Sequence, residues 1–117
     1  MEIVQLFKAL SDETRVRILN LLKTGELCVC DIETILNIQQ SNASRHLNKL
    51  KRAGLITSSK KSQWVYYRIN KDIMVKHPFI QGIFNDELLK MNMCKDDSER
   101  LIKHKASGAS CERVNKR

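Results

Sequence analysis

The sequence predicts a mainly α-helical domain that carries one small β-hairpin. Three observations predict it. Apolar residues recur at helical spacing from Ile3 to Leu50, the period changes at Leu55 where β-branched and aromatic residues take over, and a further helical stripe begins after Pro78. At 117 residues the chain supports one core, or a core shared across a dimer, because a chain of this size buries only about two-thirds of the surface it exposes when unfolded. A hydrophobic share of 42% is that of a globular protein rather than a disordered one.

Ile3, Leu6, Phe7 and Leu10 follow the i, i+3, i+4, i+7 pattern and predict a first helix with those side chains inward. Ser11 and Asp12 break it and cap a second helix whose apolar face is Val16, Leu19 and Leu22, and Gly25 suits the left-handed position past its end. A short third helix fits Val29 to Leu36, apolar at Ile32, Ile35 and Leu36. After Asn37-Ile38-Gln39 a fourth helix runs to about Arg52, with Ala43, Leu47 and Leu50 inward and Gly54 as its stop, so the helix pair covers about residues 29–53. Leu55 to Ser59 and Trp64 to Ile69 read as two strands joined by the polar Lys60-Lys61-Ser62-Gln63, a hairpin with a basic tip over about residues 55–69. Trp64 and Tyr66 share one face of the second strand and Tyr67 the other; base stacking is open to the first two, but at such positions all three read as core or shielding contacts. Past a turn-like Asn70-Lys71-Asp72, Pro78 opens another helix with Ile80, Ile83, Phe84, Leu88 and Met91 as its stripe. Residues 1–92 are expected to form the domain. Residues 93–117 are expected as a C-terminal extension, partly disordered, since Ser107-Gly108-Ala109-Ser110 and Arg113 to Arg117 hold turn formers and charge rather than an apolar face.

The formal net charge is +8, and its distribution carries more information than its size. Residues 1–37 sum to −2, residues 78–117 to +2, and residues 38–77 to +8. Such a local excess is expected of a surface that meets a polyanion, although a solvated face would also carry it. The longest uninterrupted apolar runs, Leu27 to Cys30 and Trp64 to Tyr67, are four residues each, far short of the roughly 20 needed to span a bilayer. No membrane partner is expected. The start, Met1-Glu2-Ile3-Val4, lacks a basic stretch followed by an apolar block and does not read as a signal peptide. The expected compartment is the cytoplasm, where thiols stay reduced and four cysteines suggest metal binding or redox sensing.

A short helix, a tight turn, a second helix and a basic hairpin make a winged helix-turn-helix, in which the second helix enters the major groove of duplex DNA. Its first turns here are Gln40-Ser41-Asn42-Ala43-Ser44-Arg45. Gln pairs bidentately with adenine and Arg with guanine, so Gln40, Ser41, Ser44 and Arg45 are the candidates for reading base edges. His46 and Lys49 are assigned to the DNA backbone or to neighbouring side chains, and Lys60, Lys61 and Arg68 to phosphate or minor-groove contact. One such helix reads only a few base pairs. A homodimer on a pseudo-palindromic operator is therefore expected, paired through the N-terminal and C-terminal helices.

Cys28 and Cys30 lie two residues apart at the start of the third helix. Side chains at that spacing on a regular helix diverge by about 200°, so both sulfurs reach one ion only if the helix start is loosened, which would disturb the support of the reading helix. Amides at a helix N-terminus are expected to lower a thiol pKa and favour the thiolate. Soft thiolates suit As(III), Sb(III), cadmium, lead, zinc or copper(I) and not hard cations.

The segment Glu26-Leu27-Cys28-Val29-Cys30-Asp31-Ile32 resembles the metal box E-L-C-V-C-D-L of the ArsR/SmtB group of winged-helix repressors, in its arsenic-responsive branch. Ser44-Arg45-His46-Leu47-Asn48-Lys49-Leu50 is similar to that family's S-R-H-L-x-x-L recognition helix, and Trp64-Val65-Tyr66-Tyr67-Arg68-Ile69 to its W-V-x-Y-R-L wing strand. The resemblance covers about residues 2–92. It implies a homodimeric repressor of a metalloid-resistance operon that holds no permanent cofactor and leaves DNA when As(III) or Sb(III) acts as inducer at Cys28 and Cys30. The chain departs from the family in several places. The third Cys often found three residues after the second is absent, so a three-sulfur site would need Cys94, Cys111 or an exogenous thiol as a further ligand. Gln39 stands where Ser usually caps the recognition helix, and Ser62 where Gly is common at the wing tip. The Asp-x-His and His-x-x-Glu/His pattern of zinc-sensing relatives is missing, and His104, alone on the last helix, reads as solvated surface.

A sensor of redox state, or of cadmium, lead or zinc, on the same scaffold is the alternative reading. A thiol oxidoreductase would need C-x-x-C beside a parallel β unit, and neither is present. With four glycines and no Ser-His-Asp arrangement, phosphate-binding loop or paired catalytic carboxylates, the chain does not read as an enzyme. A pure protein-interaction module would lack sequence-specific DNA binding.

Overall fold

Leu6, Ile18, Leu21, Ile32, Leu47, Leu50, Leu55 and Ile80 have no exposed surface, and together they join the N-terminal helices, the helix pair and the C-terminal segment in one core. These are the contacts of a computed structural model that describes residues 1–108. Helix α1 (Glu2–Leu10) and helix α2 (Glu13–Leu22) are separated by Ser11 and Asp12, and the Asp12 carboxylate caps α2 by accepting from the Arg15 amide. A two-residue strand β1 (Leu27–Cys28) runs directly into α3 (Val29–Leu36), which ends on Asn37 in the left-handed conformation (φ 55°). The reading helix α4 (Gln40–Arg52) follows, with Ala43, Leu47 and Leu50 buried as its spacing predicts. Gly54 takes φ 83° just past it, a region where any residue with a Cβ is strained.

Strands β2 (Ile56–Lys61) and β3 (Trp64–Ile69) pair antiparallel from Ile56↔Ile69 to Lys61↔Trp64. The turn places Ser62 at φ 58°, the conformation that makes Gly common at such a tip. The sheet has a third strand that the sequence reading does not contain. β1 pairs with the far edge of β3 (Leu27↔Tyr67, Cys28↔Tyr66), giving the order β1-β3-β2. Two residues are too few for alternation to show.

The C-terminal stripe also differs from a single helix. A short helix α5 (Lys71–Lys76) stands where a turn is expected, and from Pro78 the chain divides into α6 (Pro78–Gly82), a π-helical turn (Ile83–Glu87), α7 (Leu88–Lys90) and α8 (Asn92–Ala106). Met91, in an extended conformation, separates the last two. The expected extension after residue 92 begins as a fifteen-residue helix rather than a frayed tail. Cys94, Asp97 and Leu101 of α8 are buried, the last two at helical spacing with His104 beyond them, so α8 belongs to the same core. Cys111 and Arg113 to Arg117 lie outside the described residues.

On α1 the expected inward face is shifted. Leu6 and Ala9 are buried, but Phe7 is 57% exposed and meets Phe79 at 5.4 Å between ring centroids. Val4 is also exposed, as is Ile102 on α8. No helix among the described residues is long and apolar enough to cross a membrane.

Candidate nucleic-acid interface and thiol site

The amides at the start of α4 are left open. Its N-cap, Gln39, makes no side-chain capping bond and its first turn holds no acidic residue, so the positive end of the helix faces outward beside Gln40 and Ser41, which are exposed. Ser44 is half-buried and Arg45 exposed. The Arg45 guanidinium donates to Asn42 Oδ1 at 2.6 Å, which holds it along the helix. On the wing, Lys60 is exposed, Lys61 pairs with Glu26 at 2.5 Å and lies 5.0 Å from the Tyr66 ring centre, and Arg68 Nε donates to Thr57 Oγ1 at 3.3 Å. Trp64, Tyr66 and Tyr67 are all half-buried.

His46 is placed differently from the other candidates. It is 5% exposed and turned into the core, where its Nδ1 lies 3.2 Å from Arg15 Nη1 and 3.7 Å from Asp12 Oδ2. A guanidinium only donates, so Nδ1 accepts and the ring proton sits on Nε2. His46 therefore links the reading helix to α2 and does not face the groove. Arg15, which periodicity does not single out, also closes the end of α1, with Nε donating to Ala9 O at 2.7 Å and Nη2 to Lys8 O at 3.1 Å.

Burial holds the His46 pKa below its usual 6.5; Asp12 opposes that shift, while Arg45, Arg15 and Lys49 add to it. As pH falls through about 6.5 the unfolded chain takes up a proton that the folded chain refuses, so stability present at neutral pH is lost on acidification. His46→Gln is expected to flatten this part of the stability profile between pH 7 and 5 in urea titrations. An unchanged profile would assign the acid sensitivity to other groups.

Cys28 occupies a junction. It is the last residue of β1 and the N-cap of α3, in an extended conformation (φ −82°, ψ 159°) and 1% exposed. Its Sγ donates to Asp31 Oδ2 at 3.1 Å. The expectation of a lowered thiol pKa is overturned here: burial, with Asp31 adding to it, pushes the Cys28 thiol up to about 11, against the weaker pull of the helix amides. Asp31 Oδ1 accepts from His104 Nε2 at 2.8 Å, with both side chains about nine-tenths buried. His104 is thus not solvated surface. It joins α8 to the first turn of α3, and Arg100 Nε adds a second tie to Ile35 O at 3.2 Å.

Cys28 and Cys94 carry free thiols, whereas Cys30 is disulfide-bonded and meets an ion only after reduction. Cys94, on the buried face of α8, is 1% exposed and 4.0 Å from Met91 Sδ, and burial raises its pKa. Among the described residues no three His, Cys, Asp or Glu side chains are grouped to hold a metal ion.

The helix pair and the three-stranded wing define a winged helix-turn-helix protein. Residues 12–58 match the model of the bacterial regulatory protein, arsR family. The chain is 49% identical over 71 residues to the arsenical resistance operon repressor of Escherichia coli, covering 60% of this chain and 61% of that one. It is 42% identical over 85 residues, 71% of each chain, to the cadmium resistance transcriptional regulatory protein CadC of Listeria innocua. A solved structure, the homodimeric winged helix-turn-helix DNA-binding domain of Mb0332 from Mycobacterium bovis, superposes with a TM-score of 0.63 at 29% identity, over 78% of this chain and 85% of that one. The chain belongs to the ArsR family. It spans about three-fifths of the length of the arsenical repressor it matches.

Proposed function

We propose that the protein is a homodimeric transcriptional repressor that binds a pseudo-palindromic operator in duplex DNA and leaves it when As(III) or Sb(III) is held by the reduced Cys28 and Cys30 thiolates. Gln40, Ser41, Ser44 and Arg45 read base edges, and Lys49, Lys60, Lys61 and Arg68 contact the backbone. The exposed Val4, Phe7 and Ile102 are the apolar surface through which the N-terminal and C-terminal helices pair two copies. The protein works in the cytoplasm and carries out no catalysis.

The observation that carries this reading is the position of Cys28. Its backbone is bonded to the wing through β1 and it opens α3, the helix packed on the reading helix. An ion that takes the Cys28 sulfur displaces its proton and with it the bond to Asp31. Recruiting Cys30 from the first helical turn then pulls on the wing and the support helix together. Glu26, two residues earlier, carries the same strain to the wing tip through Lys61.

The test is fluorescence anisotropy of the reduced protein on a duplex taken from upstream of its own gene. Binding is expected to weaken steeply with salt, as counterion release demands, and arsenite or antimonite is expected to release the duplex. Failure of both to do so overturns the inducer assignment. A thiol-based redox sensor is the second reading, favoured by the disulfide at Cys30. Release by peroxide and not by arsenite would decide for it, and release by cadmium alone for a cadmium sensor like the Listeria relative.

A further inference from the structure

We propose that the cleft between α1 and the C-terminal half of α4 seats a backbone phosphodiester of the bound duplex, so that α1 takes part in DNA binding. The proposal rests on the DNA-binding reading above and extends it beyond the helix pair and wing. The cleft has a volume of about 290 Å3 and is lined by Gln5 and Lys8 of α1, Arg15 of α2, and Lys49 and Arg52 of α4, with no acidic side chain. Lys8, Lys49 and Arg52 are exposed, and among the described residues none of the three forms an ion pair. Four cationic side chains from three helices therefore converge on one opening, and among the described residues only Arg15 of the four has a carboxylate, that of Asp12, close enough to feel its charge.

Arg15 makes this a built site rather than a loose run of surface lysines. It is 8% exposed, and its bonds to Ala9 O, Lys8 O and His46 Nδ1 use one hydrogen each from Nε, Nη2 and Nη1. A guanidinium has five, so these bonds leave two uncommitted on a side chain that lines the cleft. The same bonds cover the last carbonyls of α1, which would otherwise turn the negative end of that helix toward the phosphate.

The cleft is also on the correct face. Arg45, Lys49 and Arg52 are spaced i, i+4, i+7 and share one side of α4. At 1.5 Å per residue the cleft lies about 10 Å along the helix from the reading turn. The 13 residues of α4 extend about 20 Å, more than the roughly 12 Å width of the major groove, so its last turns reach the phosphate row at the groove edge. This continuity with the reading face favours a phosphodiester of the duplex over a free anion, whose chemistry the cleft shares.

The experiment uses the full reduced chain with two duplexes, the upstream one and a random-sequence one, over about 50 to 200 mM KCl. Lys8→Gln and Arg52→Gln are each expected to weaken both duplexes to the same extent and to reduce the slope of log K against log salt by about 1. Lys90→Gln, whose lysine pairs with Asp86 and Glu87, is expected to keep the wild-type slope. Lys8 and Arg52 are exposed, and unchanged melting curves confirm that the variants fold. Slopes and affinities equal to wild type for both variants overturn the proposal. So does competition by inorganic phosphate at matched ionic strength that Lys8→Gln removes, because the cleft would then serve a free anion. A wild-type chain that binds neither duplex overturns the DNA-binding reading itself and the proposal with it.

Discussion

Asp97→Ala is expected to lower the stability of the fold by about 3 kcal/mol, read as a shift in the urea midpoint at fixed protein concentration. The Asp97 side chain is fully buried and accepts a two-pronged bond from Arg17, at 2.7 Å from Nε and 2.9 Å from Nη2, with Arg100 as a further partner. This pair is one of the polar ties between α8 and α2. The bond to Asp97 raises the Arg17 pKa, so the cation stays charged at all working pH values. Truncation leaves Arg17, whose side chain is only 20% exposed, without its counter-charge, and the cost of an unpaired, largely buried ion exceeds that of any exposed pair. Asn20 adds bonds to Cys94 O at 3.0 Å and Ser98 Oγ at 3.1 Å on the same helix, so α8 is loosened rather than released. Asp97→Asn, which keeps the shape and one acceptor, is expected to cost less. A loss below about 1 kcal/mol for the alanine variant would place the cluster with ordinary surface pairs.

Cys28→Ser is expected to raise the arsenite concentration needed for release at least about 100-fold, since changes in residues that merely support a metal ligand already cost 10- to 100-fold. Serine keeps the size of the side chain and a donor for Asp31, so DNA binding without arsenite is expected to stay within about twofold of wild type. Cys30→Ser is expected to match it. Cys94→Ser is expected to leave the response unchanged, because Cys94 is buried on the inner face of α8 and joins no three-ligand group among the described residues. Anisotropy titrations on the upstream duplex give the release midpoints, and arsenic-edge spectroscopy counts the sulfurs. A Cys28→Ser protein with a wild-type midpoint would remove the thiolate mechanism; a lost As–S bond in Cys94→Ser would bring α8 into the site.

Much of the fold was legible because burial in a helix imposes a period. The stripes Leu19/Leu22, Ile32/Ile35/Leu36, Ala43/Leu47/Leu50 and Ile80/Phe84/Leu88 are buried as their spacing predicts. The change of period at Leu55 marks the hairpin. Elements whose partners are distant were not legible in this way. β1 exists because β3 offers it an edge, and two residues carry no alternation of their own. The face that Phe7 presents depends on where Phe79 sits, 72 positions later. α8 has a mixed pattern, with a buried Asp97 where periodicity asks for an apolar residue, and only the arginines facing it make that position tolerable.

The candidate site divides along the same line. The sequence by itself determined which chemistry is present: a polar and basic first turn on α4, a basic hairpin, and two thiols spaced C-x-C at the start of the preceding helix, since these depend on residue type and local spacing. Tertiary structure alone decided what each group can do. It turned His46 inward onto Arg15, buried Cys28 until its thiol holds its proton, set His104 against Asp31 across 73 positions, and brought α1 beside α4 to form a basic cleft. Desolvation and long-range pairing are properties of neighbours in space, and sequence spacing records only neighbours along the chain.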